Sequence, residues 1–196
     1  MGVVWLGHHP DLNIPVAIKT IKGSGADSTY VKRFLLEARS AARINHPRIA
    51  RVFNAGSDNG THYIVSEFLA GGSIGDLLDE GPLEPQFALY IAEAVVEGLG
   101  AAAKAGIIHR DVKPDNIMLD GEGEPKLVDL GLAKEVGGDS SLTGAGAMMG
   151  TPAYIAPEQA KGAALADTRS DIYSLGATLF HLVTGDRTLP ESVYYA

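Results

Sequence analysis

The chain has no cysteine among its 196 residues. Disulfides, thiolate nucleophiles and thiolate metal sites are therefore excluded. Its six histidines stand singly or as the pair His8-His9, without zinc-ligand spacing. No apolar run reaches the ~18 residues a membrane span needs. The most apolar stretch, Phe87 to Ile108, is interrupted by Glu93, Glu97 and Lys104. The start lacks the basic region of a signal peptide, and Leu6 stands where a myristoylation motif requires Ser or Thr. Basic runs are missing too. Sixteen Lys and Arg face 24 Asp and Glu, a net charge of −8, which argues against a nucleic-acid backbone as partner. What remains is ordinary globular composition, 45% hydrophobic and 20% charged, sufficient for one domain or two small lobes. A cytoplasmic location, with no nucleic acid as partner and no membrane segment, is the expectation.

Along the chain, Val3–Leu6, Pro15–Ile21, Arg51–Ala55 and His62–Glu67 read as strands, with a turn over Gly56–Gly60. Residues 28–44 carry a helical pattern. The hinge-like Ala70-Gly71-Gly72-Ser73 follows, and then helical patterns over 74–80, 85–105 and 168–185. A small strand-rich lobe over residues 1–69 and a mostly helical portion over 70–196 are expected. Asp139–Gly146 is small, polar and glycine-rich, as a mobile loop would be.

The densest chemistry lies in His109-Arg110-Asp111-Val112-Lys113-Pro114-Asp115-Asn116. It holds a candidate proton acceptor in Asp111, a phosphate-neutralising cation in Lys113 and a metal-ligating amide in Asn116. Asp129 follows in Leu127-Val128-Asp129-Leu130-Gly131. Between them, Ile117–Leu119 and Lys126–Val128 read as a hairpin around the turn Asp120–Pro125. The start of one antiparallel strand lies beside the end of the other, so Asn116 and Asp129 meet. Such a pair of oxygen donors suits Mg²⁺ carrying a phosphate substrate.

Ala17 and Lys19 share one face of their strand, so a flat ring over Ala17 would bring its phosphates to Lys19. Alone, Lys19 reads more readily as a solvated surface lysine than as a phosphate ligand. Glu37 sits with Phe34, Ala41 and Ile44 on one helical face. A glutamate in that stripe needs a cation, for which Lys19 is the candidate, or an edge from which it reaches water. Arg110, beside the proposed base, attracts anions. Asp171 opens an apolar helix whose backbone N–H groups it can accept.

Together these residues resemble a eukaryotic-like (Hanks-type) bacterial serine/threonine protein kinase. The signature set of that family stands here as Val16-Ala17-Ile18-Lys19, His109-Arg110-Asp111-Val112 through Asn116, Asp129-Leu130-Gly131 and Ala156-Pro157-Glu158. The order and spacing match over nearly the whole chain. The resemblance implies an α+β, protein-kinase-like bilobal fold, with a small β-rich N-lobe bearing one helix and an incomplete, mostly helical C-lobe. It implies ATP and Mg²⁺ as cofactors and protein substrates with Ser or Thr, in bacterial signalling. Lys19 would hold the α- and β-phosphates and pair with Glu37. Asp111 would be the base, Lys113 would stabilise the γ-phosphate, and Asn116 and Asp129 would bind Mg²⁺. Gly2 and Val4 fall in the glycine-rich-loop pattern. Val4 and Ala17 would cover the adenine, Met118 would lie beneath it, and the backbone at Glu67 and Leu69 would meet its edge. Ser66 takes the gatekeeper position. Arg110 marks control by phosphorylation of the activation loop, with Thr143 and then Ser140 and Ser141 as candidates. Thr151 and Lys113 look like the Ser/Thr type.

The chain departs from the family in three ways. Leu130 replaces Phe beside Asp129, two glycines of the phosphate loop are missing, and the later large-lobe helices are absent with the arginine that pairs with the Glu158 equivalent. A chain truncated at both ends is therefore expected. Its alternative function is a weakly active or inactive kinase-fold module that binds nucleotide or partners. A small-molecule phosphotransferase is a third reading, against which Gly150-Thr151-Pro152 and Ala156-Pro157-Glu158 resemble a peptide-docking segment.

Overall fold

Strands rich in branched and aromatic residues build the first third of the chain into an antiparallel sheet. A computed structural model describes residues 3–22, 31, 34, 35, 38, 39, 41–130 and 152–187. Strands β1 (Val3–His9), β2 (Ile14–Lys22), β3 (Val52–Asp58) and β4 (Thr61–Glu67) pair in the order β1-β2-β4-β3. Val4 lies opposite Lys19 and Leu6 opposite Ala17. Ala17 lies opposite Ser66, and Lys19 opposite Ile64. Directly opposed residues share a face. Val4, Leu6, Ala17, Lys19, Ile64 and Ser66 thus line one side of the sheet, and Val16, Ile18 and Glu67 the other.

The strands run longer than the sequence patterns indicate. β3 continues to Asp58 and β4 resumes at Thr61, so the five-residue turn expected over Gly56–Gly60 shrinks to Asn59-Gly60. Both turn residues have positive φ, 47° and 76°. That is the geometry Asn-Gly favours, because its twist matches that of the flanking strands. Helical backbone is present at residues 31, 34, 35, 38, 39 and 41, and a turn at 42–43 ends it earlier than expected. Phe34 and Ala38 bury against Ile21 and Ile64, which seats this segment on the Lys19 face of the sheet.

The second half is mostly helical. α1 (Ile74–Leu78) starts from a reciprocal cap between Ser73 and Asp76 and is shorter than the expected 74–80. α2 (Pro85–Lys104) and α4 (Thr168–Thr184) match their patterns, and α3 (Pro157–Lys161) is a short helix the pattern does not indicate. Ile74, Ile91, Val95, Leu99, Val112, Ile117, Leu127, Leu175 and Leu182 bury together between α1, α2, α4 and the loop after α2. Each fully buried aliphatic side chain contributes about 1.5–3 kcal/mol. Val112, at the centre of the segment 109–116, is wholly buried there, which fixes the loop that carries Asp111. No helix among the described residues is long and apolar enough to cross a membrane.

The expectation for Asp171 needs correction. It does not cap its own helix. Asp167 does, accepting from the Arg169 N–H at 2.8 Å while Ser170 Oγ accepts from the Asp167 N–H at 3.2 Å. Asp171 lies one turn inside, on the buried face shared by Ser174, Leu175, Thr178 and Leu182, and turns away toward the loop before Asp111.

Candidate active site

After Val112 plunges into the core, Pro114–Asn116 forms a single 3-10 turn, and the Asn116 N–H donates to the Lys113 carbonyl at 2.9 Å. The turn delivers the chain into β5 (Ile117–Leu119), paired with β6 (Pro125–Leu127). The second strand begins and ends one residue earlier than expected. Val128 has left the ladder, and its N–H reaches the Asn116 carbonyl at 3.0 Å. Asp129, the next residue, is thereby held close to Asn116.

Within the loop, Asn116 Nδ2 donates to the Asp111 carbonyl at 2.7 Å and to Asp111 Oδ2 at 2.9 Å. Lys113 Nζ stands 3.4 Å from Asp111 Oδ2. Across the interior cleft, Lys19 Nζ donates to Asp129 Oδ2 at 2.6 Å. Asp111, Lys113 and Asn116 thus form one set and Lys19 and Asp129 a second, tied to the first through the Val128–Asn116 backbone bond. The Asn116 nitrogen is committed to Asp111, which leaves its oxygen as the group able to face a cation. No group of three or more His, Asp or Glu able to hold a metal exists among the described residues. A hard cation here would take Asn116 and Asp129 and complete its shell with substrate oxygens and water, the habit of Mg²⁺. The donor set fits that ion.

Two further residues, to which the motifs assign no role in the chemistry, hold this geometry. His109 is fully buried, with Nε2 3.1 Å from the Val128 carbonyl, and its Nδ1 accepts from the Asp111 N–H at 3.3 Å. A neutral ring protonated on Nε2 satisfies both contacts, and burial pushes its pKa below the ordinary histidine value. Asp171 accepts the N–H groups of His109 at 2.9 Å and Arg110 at 2.8 Å, while burial raises its carboxyl above the usual range. The carboxylate on a buried helical face is the available signal, since such a group needs donors from another element. Arg110 and Asp129 both take positive φ, 64° and 58°. Left-handed backbone costs a non-glycine residue about 1–2 kcal/mol. At Arg110 the two flanking peptides are tied down, its N–H by Asp171 and its carbonyl by Gln159 Nε2 at 2.7 Å. Arg110 Nε is buried with no hydrogen-bond partner among the described residues.

Glu67, expected at the edge of a bound ring, turns its side chain to the opposite face, where it pairs with Lys126 and accepts the Arg51 N–H at 3.1 Å. Its own N–H donates to the Arg51 carbonyl at 2.8 Å, and Leu69 is buried. Met118 bridges Ser73 at the start of α1, and Val4 is exposed on the Lys19 face. A cavity of about 60 Å³ opens behind Ser66, lined by Lys19, Ala38, Ala41, Ile64 and Leu130. Gly2, Glu37, Gly131, Ser140, Ser141, Thr143, Gly150 and Thr151 lie outside the described residues.

A second buried histidine gives the molecule an acid limit. His181 Nδ1 lies 2.7 Å from the Tyr154 hydroxyl, whose pKa is pushed up to about 12 by burial, so the hydroxyl keeps its proton and can donate to a ring protonated on Nε2. Burial lowers the His181 pKa, with Arg187 adding to the effect against Asp115 and Asp186. Below about pH 6.5 the unfolded chain takes up a proton that the folded ring resists, so stability falls as pH falls. The slope from one such group is at most about 1.4 kcal/mol per pH unit. Thermal midpoints recorded between pH 7.5 and 5.5 are expected to decline, and less steeply in His181→Asn, whose amide oxygen accepts the same hydroxyl without titrating. Identical slopes would count against this.

The family model described as "protein kinase domain" matches residues 1–194. The chain is 40% identical over 186 residues to the serine/threonine-protein kinase PknL of Mycobacterium tuberculosis, covering 94% of this chain and 46% of that protein. It is 37% identical over 187 residues to the serine/threonine-protein kinase PrkC of Bacillus subtilis, covering 94% and 28%. It spans less than half the length of these curated relatives. The crystal structure of the M. tuberculosis PknI kinase domain, solved as a point mutant, superposes with a TM-score of 0.76 at 31% identity, covering 97% of this chain and 73% of that one.

Proposed function

The chain belongs to the protein kinase domain family, on its bacterial serine/threonine branch, and from that premise we propose that it transfers the γ-phosphoryl group of ATP to Ser or Thr hydroxyls of protein substrates. In this reading residues 1–69 are the small lobe and 70–196 belong to the large lobe. The observation that supports it is the set Asp111, Lys113 and Asn116, tied through the Val128–Asn116 backbone bond to the pair of Lys19 and Asp129.

Asp111 is the base. Asn116 Nδ2 and Lys113 orient its carboxylate, and it takes the proton of the substrate hydroxyl as that oxygen bonds to phosphorus and ADP departs. Lys113 offsets charge on the moving phosphoryl group. Lys19, paired with Asp129 at 2.6 Å, turns to the nucleotide's phosphates when they arrive, releasing the Asp129 carboxylate. Asn116 and Asp129 would hold Mg²⁺, which would supply positive charge to offset that developing during transfer. Arg110, with its buried Nε lacking a partner among the described residues, supports pairing with a phosphorylated loop residue, Thr143 being the first candidate. A radiolabelled-ATP assay with a generic basic protein tests the activity, with Asp111→Asn as the control. Signal in both proteins, or in neither, overturns the enzyme reading and leaves the nucleotide-binding module.

The cavity behind Ser66 bears on ligand choice. ATP-site inhibitors with a bulky aromatic substituent are expected to lose about tenfold in affinity in Ser66→Met, because overfilling such a space costs about 1–3 kcal/mol. Equal inhibition of both proteins would count against it.

A further inference from the structure

Arg48 lies in the connection between the helical segment ending near residue 41 and β3, remote from the proposed chemistry in sequence. Its guanidinium gathers three groups from the helical half. Nε donates to Glu97 Oε2 on α2 at 3.1 Å, and a second nitrogen pairs with Glu124 in the β5–β6 turn. The guanidinium carbon stands 5.7 Å from the centre of the Tyr90 ring, and the Tyr90 hydroxyl donates to the same Glu124 oxygen at 2.6 Å. The backbone at this point is tied just as closely. The Leu127 N–H donates to the Arg48 carbonyl at 2.9 Å, and the Ala50 N–H to the Leu127 carbonyl at 2.9 Å. Ile49 and Leu127 thereby form a parallel bridge. Gly98 on α2 permits the approach: a Cβ there would lie 3.0 Å from the Arg48 carbonyl and 2.9 Å from Leu127 Cδ1.

The consequence lies two residues on. β6 ends at Leu127, and the chain proceeds through Val128 to Asp129, which meets Lys19. Residues 48–50 lead into β3 of the sheet while Ile49 buries in the core it shares with α2 and Leu127 of the helical half, so this segment is where the two halves meet. We propose that Arg48 is a positioning residue, a clamp between the two halves that sets the register of β6 and hence the place of Asp129 opposite Lys19. Tyr90 and Glu124 complete the clamp, since a fork held by two carboxylates and stacked on a ring has one orientation where a lysine would have many. The role rests on the kinase reading only for its catalytic consequence.

Two measurements on the full chain test it. Hydrogen exchange of the Ala50 and Leu127 amides in Arg48→Met is expected to quicken at least about tenfold, with amides of α4 unchanged. Phosphotransfer by the same variant is expected to need several-fold more Mg²⁺ for half-maximal rate, with a lowered kcat and a nearly unchanged KM for the protein substrate. Arg48→Lys should recover part of both. Unchanged exchange at Ala50 and Leu127 overturns the clamp. Faster exchange with wild-type Mg²⁺ dependence also overturns it, since Arg48 would then serve stability alone. A wild-type chain without phosphotransfer defeats the kinase reading instead, and Mg²⁺ titrations of nucleotide binding by calorimetry then replace the rate measurement: a Mg²⁺ requirement unshifted in Arg48→Met, or no Mg²⁺-dependent binding by the wild type, overturns the positioning role.

Discussion

Asp111→Asn is expected to lower kcat by about 10²–10⁴-fold, the range that a positioned general base supplies. The fold should tolerate the change. Asn116 Nδ2 now donates to Asp111 Oδ2 at 2.9 Å, and an amide oxygen in the same place accepts the same bond. The pair with Lys113, at 3.4 Å, is partly exposed and contributes at most about 1 kcal/mol. In the proposed role, what the variant would lose is an acceptor for the hydroxyl proton, a property of the reaction and not of the resting molecule. The KM for ATP should therefore stay within about threefold of wild type, the pattern of an interaction made only in the transition state. Steady-state kinetics with thermal melting alongside separates the cases. A kcat loss below about tenfold, or a loss matched by unfolding at the assay temperature, removes Asp111 from the role of base.

Asp129→Asn should be comparably damaging for a different reason. Asn shares with Asp a tolerance of left-handed backbone, so the φ of 58° at this position is not at issue. The substitution removes one negative charge from the space shared with Lys19. As a stability element that pair counts for little. Its side chains are 28% and 40% exposed, and screening holds such a pair to about 1 kcal/mol or less. If it serves as the metal ligand proposed above, the same carboxylate would count for several kcal/mol of transition-state stabilisation, so kcat/KM should fall about 10³-fold. The contrast between a small shift in melting temperature and a large loss of rate distinguishes the two roles. Raising Mg²⁺ should recover part of the variant's activity. A variant that keeps the wild-type Mg²⁺ dependence would show that Asp129 serves only to pair Lys19.

Much of this site is legible in the order of residues. The segment from His109 to Asn116 and the hairpin to Asp129 are local, and their hydrogen bonds span few residues, as with Val128 and Asn116. Turn chemistry and strand alternation suffice there. The fold class is legible for the same reason, although the strands extend further and the Asn59-Gly60 turn is tighter than expected. Asp171 misleads a reading of its own helix because its donors lie 62 and 61 residues away, and no local pattern records them. The motif positions Glu67 only by its backbone; that its side chain pairs with Lys126 is a tertiary contact, with a partner 59 residues on, that no local pattern records. Arg48 looks like any surface arginine in the sequence, since its partners Tyr90, Glu97 and Glu124 come from two other elements.

By itself, the sequence determined which chemistry is available: an acid, a lysine, an amide and a second acid in an order that local hydrogen bonding can assemble, without thiols. Tertiary structure alone decided which of those groups face one another. Lys19 and Asp129, 110 residues apart, meet because β2 and the end of β6 converge on one cleft. Such pairings depend on the register between sheet and helices, and that register is held by buried contacts whose partners are distant along the chain.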